Sequence, residues 1–136
     1  FCAGGTLGLE AISRGASSCY LVENGGKALS VLKRNIDKLD VSERCYTISM
    51  NALSSISVLE DKGVRFDLLF ADPPYKKPLA LPLLTKLSKS SILNEDAILI
   101  LEVSSRDELV LPDSISILKT WKSGDTALYF ISFDNH

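Results

Sequence analysis

Four consecutive residues, Asp72, Pro73, Pro74 and Tyr75, have the chemistry of a site for a flat ring that carries an amino group. They directly follow the apolar run 66–71, which is typical of a strand. Proline donates no backbone N–H and has a fixed φ, so the two proline carbonyls can point away from the sheet and accept hydrogen bonds. Asp72 adds a second acceptor, and Tyr75 offers a ring face on which a base can stack. The tetrapeptide therefore suits methyl transfer to the exocyclic nitrogen of a nucleobase, although two prolines after a strand also make a stiff loop.

A run of small residues opens the chain, where positions 3–10 are Ala-Gly-Gly-Thr-Leu-Gly-Leu-Glu. The run resembles the glycine fingerprint of nucleotide-binding folds, with Ala3 at the first glycine position. Small residues let the backbone turn tightly near a ligand, and Gly8 permits close packing of a helix on a strand. The helix that begins here favours a carboxylate or phosphate at its N-terminus. A tight packing turn is the alternative interpretation.

Polar side chains also follow two other predicted strands. Glu23 ends the predicted strand at 18–23. It lies 18 residues after Gly5, close to the spacing at which an acid binds ribose hydroxyls. Asn51 and Ala52 follow the next strand, where the amide could meet an adenine edge, or could cap the helix that begins there. Because ligands bind outside the carboxyl ends of strands in open α/β sheets, we expect these residues and Asp72 to line one crevice.

Strands and helices are predicted to alternate along the chain. Strands are predicted at 18–23, 46–50, 66–71 and 98–103, and helices at 7–14, 29–39, 52–60 and 79–87. The tail reads as two further strands, 116–121 and 126–133, joined by a turn at 123–125. This order predicts an α/β fold with a mostly parallel, doubly wound sheet that ends in an antiparallel β-hairpin. Trp121 in the hairpin could lie in the core or on a contact surface, and the core is the favoured expectation.

The glycine loop of such folds normally follows a first strand, yet this sequence begins at the loop itself. We therefore expect residues 1–136 to be a single, N-terminally incomplete domain that lacks its first strand. The absence of a central strand would leave two neighbouring strands without a partner.

Composition excludes several classes of function. The 136 residues are 46% hydrophobic and 24% charged, with a formal charge of −2, which argues against strong nucleic-acid binding by this chain alone. Lys76 and Lys77 nevertheless lie where a phosphate beside a target base would meet them. No apolar stretch is long enough to span a bilayer. Three cysteines without C-x-x-C spacing predict free thiols in a reducing cytoplasm, and the single histidine, His136, argues against a metal site.

Several of these motifs occur in an order typical of one family. They are Phe1 to Ala16, Val22-Glu23, Ala28 to Asn35, Asn51-Ala52 and Phe66 to Tyr75. The sequence resembles bacterial 16S ribosomal RNA guanine-N2 methyltransferases of the RsmD type over essentially its whole length. The stretch from Gly8 to Ala16 is fairly specific to that family, whereas Asp-Pro-Pro-Tyr is shared with other amino-directed methyltransferases. Ala3 replaces the family's usual glycine, and Asn51 stands where Asp is common.

The resemblance implies a Rossmann-like fold and S-adenosylmethionine as the cofactor. It implies that Glu23 holds the ribose, and that Asn51 with Ala52 holds the adenine. Asp72 to Tyr75 are the implied catalytic residues, with Asp72 also beside the cofactor. Ala3, Gly4, Gly5, Leu7 and Gly8 are the implied loop around the methionine end. The implied partner is ribosomal RNA or a small-subunit particle, with no membrane and no metal, and we expect a cytoplasmic monomer. The family's basic, RNA-facing N-terminal segment is absent from this sequence.

Three other interpretations stay open at this point. The same loop could present DNA adenine or cytosine, or a protein glutamine, for methylation. A nicotinamide-dependent dehydrogenase would explain the glycine loop and Glu23, but not Asp-Pro-Pro-Tyr. A noncatalytic Rossmann-like fragment is the third interpretation.

Overall fold

Strands and helices alternate through the described part of the chain, as the hydrophobic pattern predicts. The structure is a computed structural model that describes residues 6–73, 79–107 and 109–133. The helices within these ranges are α1 (Thr6–Ser13), α2 (Gly26–Lys38), α3 (Ala52–Asp61) and α4 (Ala80–Ser88). The strands are β1 (Cys19–Val22), β2 (Cys45–Ile48), β3 (Phe66–Ala71), β4 (Leu93–Ser104), β5 (Ile115–Ser123) and β6 (Thr126–Phe133).

The chain divides into two compact units, an N-terminal unit (Phe1–Ser55) and a C-terminal unit (Ile56–His136). In the N-terminal unit β1 and β2 pair in parallel, with Cys19 opposite Cys45. Both cysteines are reduced thiols, as predicted. Apolar residues at helical spacing on α1 and α2 pack with the inward side of the strands. This core consists of Leu9, Ile12, Leu21, Leu32, Ile36 and Cys45.

The C-terminal unit contains a four-stranded sheet in the order β3-β4-β6-β5. Strands β3 and β4 are parallel, whereas β6 is antiparallel to both β4 and β5. The turn between β5 and β6 includes Gly124 at φ 57°, a left-handed conformation that favours glycine. Every second residue of β4 from Ala97 onward, and of β6, is buried, which places the apolar side of the sheet in the core. These buried residues are Ala97, Leu99, Leu101, Val103, Ala127, Tyr129, Ile131 and Phe133.

Most predicted elements are confirmed within a residue or two, but three predictions need correction. Strand β4 begins at Leu93, five residues before the predicted start at 98. The apolar segment 18–23 predicted a buried strand, yet Leu21 is the one residue of β1 that is fully buried. Trp121 was expected in the core and is 49% exposed. The reason is that β5 is an edge strand, of which Ile115 alone is buried.

The fold prediction is confirmed: parallel strand pairs joined through helices lead into a terminal antiparallel hairpin. Among the described strands, β1 pairs with β2 alone and β3 with β4 alone. The predicted strand ahead of the chain and the prediction of a single domain stay predictions. No helix of the described ranges is long and apolar enough to cross a membrane.

Candidate functional site

Gly8 brings helix α1 close to strand β1. A Cβ atom added at this position would lie 2.6 Å from Cδ2 of Leu21 and 2.8 Å from Sγ of Cys19. Both distances are shorter than real Cβ contacts, so a side chain here would force Leu21, Cys19 or the helix itself to shift. The prediction that Gly8 allows close helix-to-strand packing is confirmed.

Glu23 lies immediately after β1, at the carboxyl end of that strand, and is half-buried. Its backbone N–H donates to the carbonyl of Ile48 at 3.0 Å, which extends the pairing of β1 with β2 by one residue. The backbone N–H of Gly25, the residue before α2, donates to Oε1 of Glu23 at 3.3 Å. A Cβ at Gly25 would lie 3.2 Å from the same oxygen, so the glycine makes room for the carboxylate. The strand end thus holds an acid whose oxygens can accept hydrogen bonds from ligand hydroxyls.

Asn51 caps helix α3. Its Oδ1 atom accepts hydrogen bonds from the backbone N–H groups of Leu53, at 2.9 Å, and Ser54, at 3.4 Å. The side chain is exposed, and Ala52 is the first residue of the helix. The capping role left open by the sequence is therefore what the structure shows. The predicted contact of Asn51 with adenine stays a prediction.

Asp72 and Pro73 follow β3 directly, at the carboxyl end of that strand. The Asp72 side chain is exposed, whereas Pro73 is buried. Ala71, the last residue of β3, is paired with Leu101 of β4. The next residue of each strand is an acid, so Asp72 lies beside Glu102. The buried proline fixes the backbone at the point where the carboxylate leaves the sheet.

The carboxyl group of Asp72 lies beside that of Glu102, close enough to act on the pKa of Glu102 through a hydrogen bond and through its charge. Burial raises the pKa of Glu102 above its ordinary value, and the hydrogen bond and negative charge of Asp72 raise that pKa further. A hydrogen bond between two carboxyl groups requires a proton on one of them, and these effects favour Glu102 as its carrier.

The predicted site residues fall into three groups. Glu23, Asn51, Ala52 and Gly8 lie in the N-terminal unit, and Asp72 with Pro73 lies in the C-terminal unit. Leu7 belongs to the first turn of α1. The predictions for Ala3, Gly4, Gly5, Pro74 and Tyr75, and for Lys76 and Lys77, lie outside the described residues. That Glu23, Asn51 and Asp72 line one crevice stays a prediction.

Glu102 is a site residue that the sequence reasoning missed. The available signal was an acid within an otherwise apolar strand, Ala-Ile-Leu-Ile-Leu-Glu-Val at positions 97–103. A carboxyl group inside a sheet is costly unless it has a partner, so the acid itself called for an explanation. Within the described residues no three His, Cys, Asp or Glu side chains form a group suited to a metal ion.

Comparison with solved structures defines the class of fold. A conserved hypothetical protein of Streptococcus pyogenes superposes with a TM-score of 0.86 at 29% identity, covering 99% of this chain and 82% of that one. A ribosomal protein L11 methylase of Lactobacillus delbrueckii subsp. bulgaricus superposes with a TM-score of 0.74 at 19% identity, covering 97% and 66%. The chain has the Rossmann-like methyltransferase fold.

Sequence comparison then identifies the family. The family model described as "Conserved hypothetical protein 95" matches residues 1–132, and the chain belongs to that family. A relative from Buchnera aphidicola subsp. Baizongia pistaciae, named "Ribosomal RNA small subunit methyltransferase D", is 30% identical over 123 residues, which cover 90% of this chain. The resemblance found in the motifs is thereby confirmed. The chain spans between 61% and 64% of the length of the relatives that carry this name.

Proposed function

We propose that this chain catalyses S-adenosylmethionine-dependent methyl transfer to the exocyclic N2 amino group of a guanine in 16S ribosomal RNA. The observation that carries the proposal is the exposed Asp72 carboxylate followed by the buried Pro73 at the carboxyl end of β3. In a chain of this family, that pair is an acceptor site for an amino group. The names of the relatives support ribosomal RNA as the substrate class, and the choice of guanine N2 rests on the family resemblance.

The N-terminal unit has residues that fit the cofactor. The Glu23 carboxylate, bent toward Gly25 at the end of β1, can accept hydrogen bonds from the two ribose hydroxyls. Gly8 lets α1 pack closely on β1, and the N-terminus of this helix favours an anionic group such as the carboxylate of the cofactor. Asn51 can reach an adenine edge with its amide, although its Oδ1 already caps α3. When bound, S-adenosylmethionine supplies an electrophilic methyl group.

The C-terminal unit has residues that fit the amino group. The lone pair of a guanine amino group is delocalised into the ring, so the nitrogen is a poor nucleophile. Asp72 and the Pro73 carbonyl each accept one N–H of this group, which favours a pyramidal nitrogen with a localised lone pair. The Asp72 carboxylate then stabilises the positive charge that develops on the nitrogen as the new C–N bond forms and the bond between the methyl group and sulfur breaks. The nitrogen afterwards loses one proton to solvent. Orientation and preorganised electrostatics supply most of the acceleration.

The sequence adds Tyr75 to the proposed acceptor site. Its ring would stack on a guanine that has turned out of its RNA context, and Pro74 would stiffen the loop between Pro73 and Tyr75. Ribosomal RNA or an assembling small-subunit particle presents such a base.

A substrate panel tests the proposal. The chain, alone and in a form extended upstream, is incubated with radiolabelled methyl donor and undermodified 16S ribosomal RNA, small-subunit particles, duplex DNA or protein. We expect label in ribosomal RNA or in the particle, released on digestion as N2-methylguanosine. Transfer to DNA adenine or cytosine, or to protein glutamine, would contradict the proposed substrate. No transfer by either form, with cofactor bound, would contradict the proposed activity.

A further inference from the structure

Within segment 97–103 of strand β4, Glu102 is the one acidic residue, and it lies on the less buried side of the sheet. Ala97, Leu99, Leu101 and Val103 face the core, and Glu102 lies on the opposite side, two residues after Ile100. The two preceding residues on this side of β4, Ile98 and Ile100, are apolar. A carboxyl group on this side of the sheet is costly to bury unless it has a partner.

The neighbours of Glu102 come from both adjoining strands. On one side it is paired with Leu128 of β6, which offers no side-chain hydrogen bond. On the other side Asp72 follows β3, because Ala71 is paired with Leu101. The partner of the Glu102 carboxyl group is therefore the Asp72 carboxyl group.

The proton that joins the two groups has a preferred position. Glu102 is half-buried within the sheet, whereas Asp72 is exposed at its edge, where water solvates a negative charge. Burial raises the pKa of Glu102, and the neighbouring Asp72 raises it further. Burial and the neighbouring acid therefore both favour Glu102 as the group that carries the shared proton.

We propose that Glu102 is a positioning residue, whose protonated carboxyl group donates a hydrogen bond to one oxygen of Asp72 and turns the other oxygen toward the target amine. This inference rests on the proposed function of Asp72. A single hydrogen bond fixes the side-chain torsions of an otherwise exposed aspartate before the substrate arrives. The Asp72 oxygen is then already oriented to accept an N–H of the target amine, so no further side-chain entropy is lost during the reaction.

Kinetics of two substitutions at this position test the inference. Glu102→Gln keeps a donor of nearly the same shape, because the side-chain amide can donate to Asp72. Glu102→Leu removes the donor and matches the apolar side of the sheet formed by Ile100 and Leu128, so it is expected to fold. We expect Glu102→Leu to lower kcat about 10- to 100-fold with an unchanged KM for RNA, and Glu102→Gln to restore most of the loss. Thermal denaturation and cofactor titration on the same preparations confirm that both variants are folded.

A titration without substrate tests the pairing independently of activity. Side-chain carboxyl carbons are followed by NMR from acid to neutral pH in the wild-type chain and in Asp72→Asn. We expect the titration midpoint of Glu102 to fall in Asp72→Asn, because the negative charge that opposes its ionisation is gone. The midpoint should stay above the ordinary glutamate value, because burial is unchanged.

The outcomes separate this inference from the function on which it rests. Normal turnover in Glu102→Leu, while Asp72→Asn is inactive, would overturn the role of Glu102 alone. Equal losses in Glu102→Leu and Glu102→Gln would also overturn it, since a retained donor should rescue. An unchanged Glu102 midpoint in Asp72→Asn would show that the carboxyl groups are not paired. Normal turnover in Asp72→Asn itself would instead overturn the proposed function.

Discussion

The two units of this chain both carry polar residues at the carboxyl ends of parallel strands, but these residues have different local partners. In the N-terminal unit, Glu23 accepts a backbone N–H from Gly25, and Asn51 caps α3. Each of these contacts satisfies a backbone donor and would stabilise the fold without any ligand. In the C-terminal unit, Asp72 lies beside another acid, Glu102.

A contribution to stability is an adequate explanation for the contacts of the N-terminal unit, but not for the acid pair of the C-terminal unit. Helix caps and strand-end acids occur in proteins of every function, so the N-terminal contacts alone do not indicate one. Two adjacent carboxyl groups disfavour each other's ionisation and contribute little to folding. The acid pair therefore gives the stronger physical indication of a reactive site.

The largest expected effect is on turnover, at Asp72. Replacing Asp72 by Ala removes the negative charge and the acceptor at the nitrogen, and we expect the single-turnover rate to fall roughly 100- to 1,000-fold. Cofactor affinity should stay within several-fold of the wild type. The measurement uses labelled methyl donor and undermodified ribosomal RNA. Asp67→Ala, on the same strand and also exposed, is the matched control and should react normally.

The next effect is on stability, at Gly8. Replacing Gly8 by Ala forces a methyl group against Leu21 and Cys19, and we expect the free energy of unfolding to fall by about 1–3 kcal/mol. Gly26→Ala is the control, because a Cβ there meets no atom within 4 Å. That variant should be as stable as the wild type or slightly more so. Urea unfolding of the three proteins measures the difference, and equal stability of the two variants would contradict the tight packing of α1 on β1.

A smaller effect is expected at Asn51. Asn51→Ala removes the acceptor for the N–H groups of Leu53 and Ser54, and the free energy of unfolding should fall by about 1 kcal/mol. Asn51→Asp keeps the cap and should retain most of this stability. If Asn51 also contacts the cofactor, calorimetric titration will show a lower cofactor affinity for the folded Asn51→Ala variant than for the folded wild type.

The smallest effect is the pH dependence of stability that Glu102 contributes. Its pKa is raised in the folded chain, so the folded state binds this proton more tightly than the unfolded state. The contribution is therefore fully present below the ordinary glutamate pKa and is lost as the pH rises through the raised value. Urea unfolding at a series of pH values should show this loss in the wild type and not in Glu102→Gln. A wild-type stability that rises relative to Glu102→Gln over the same interval would contradict the assignment.

Local patterns predicted much of the fold. The spacing of Leu29, Leu32, Ile36 and Leu39 predicted α2. Leu32 and Ile36 are buried, whereas Leu39 follows the helix and is exposed. The run at 66–71 predicted β3 with the bounds that the structure shows. Such elements depend on neighbours a few residues away, which a pattern records. Polar residues that directly follow a strand, such as Glu23 and Asp72, were found for the same reason.

Features that depend on pairing between distant segments were not predicted. The sheet order, with β6 between β4 and β5, places β5 at an edge and leaves Trp121 half-exposed, contrary to expectation. The proximity of Glu102 to Asp72 depends on the register of β3 against β4, across 30 positions of sequence. A one-residue shift of that register would turn Glu102 away, and sequence patterns do not fix it.

The central claim is that the Asp72 carboxylate makes a guanine amino group reactive toward methyl transfer. Nucleoside mass spectrometry of 16S ribosomal RNA tests it directly, in cells that lack this protein and are complemented with the wild type or with Asp72→Asn at matched levels. The asparagine keeps the shape of the side chain and removes its charge. We expect the wild type to restore N2-methylguanosine and Asp72→Asn to leave it near the level of uncomplemented cells. Full restoration by Asp72→Asn would contradict the claim.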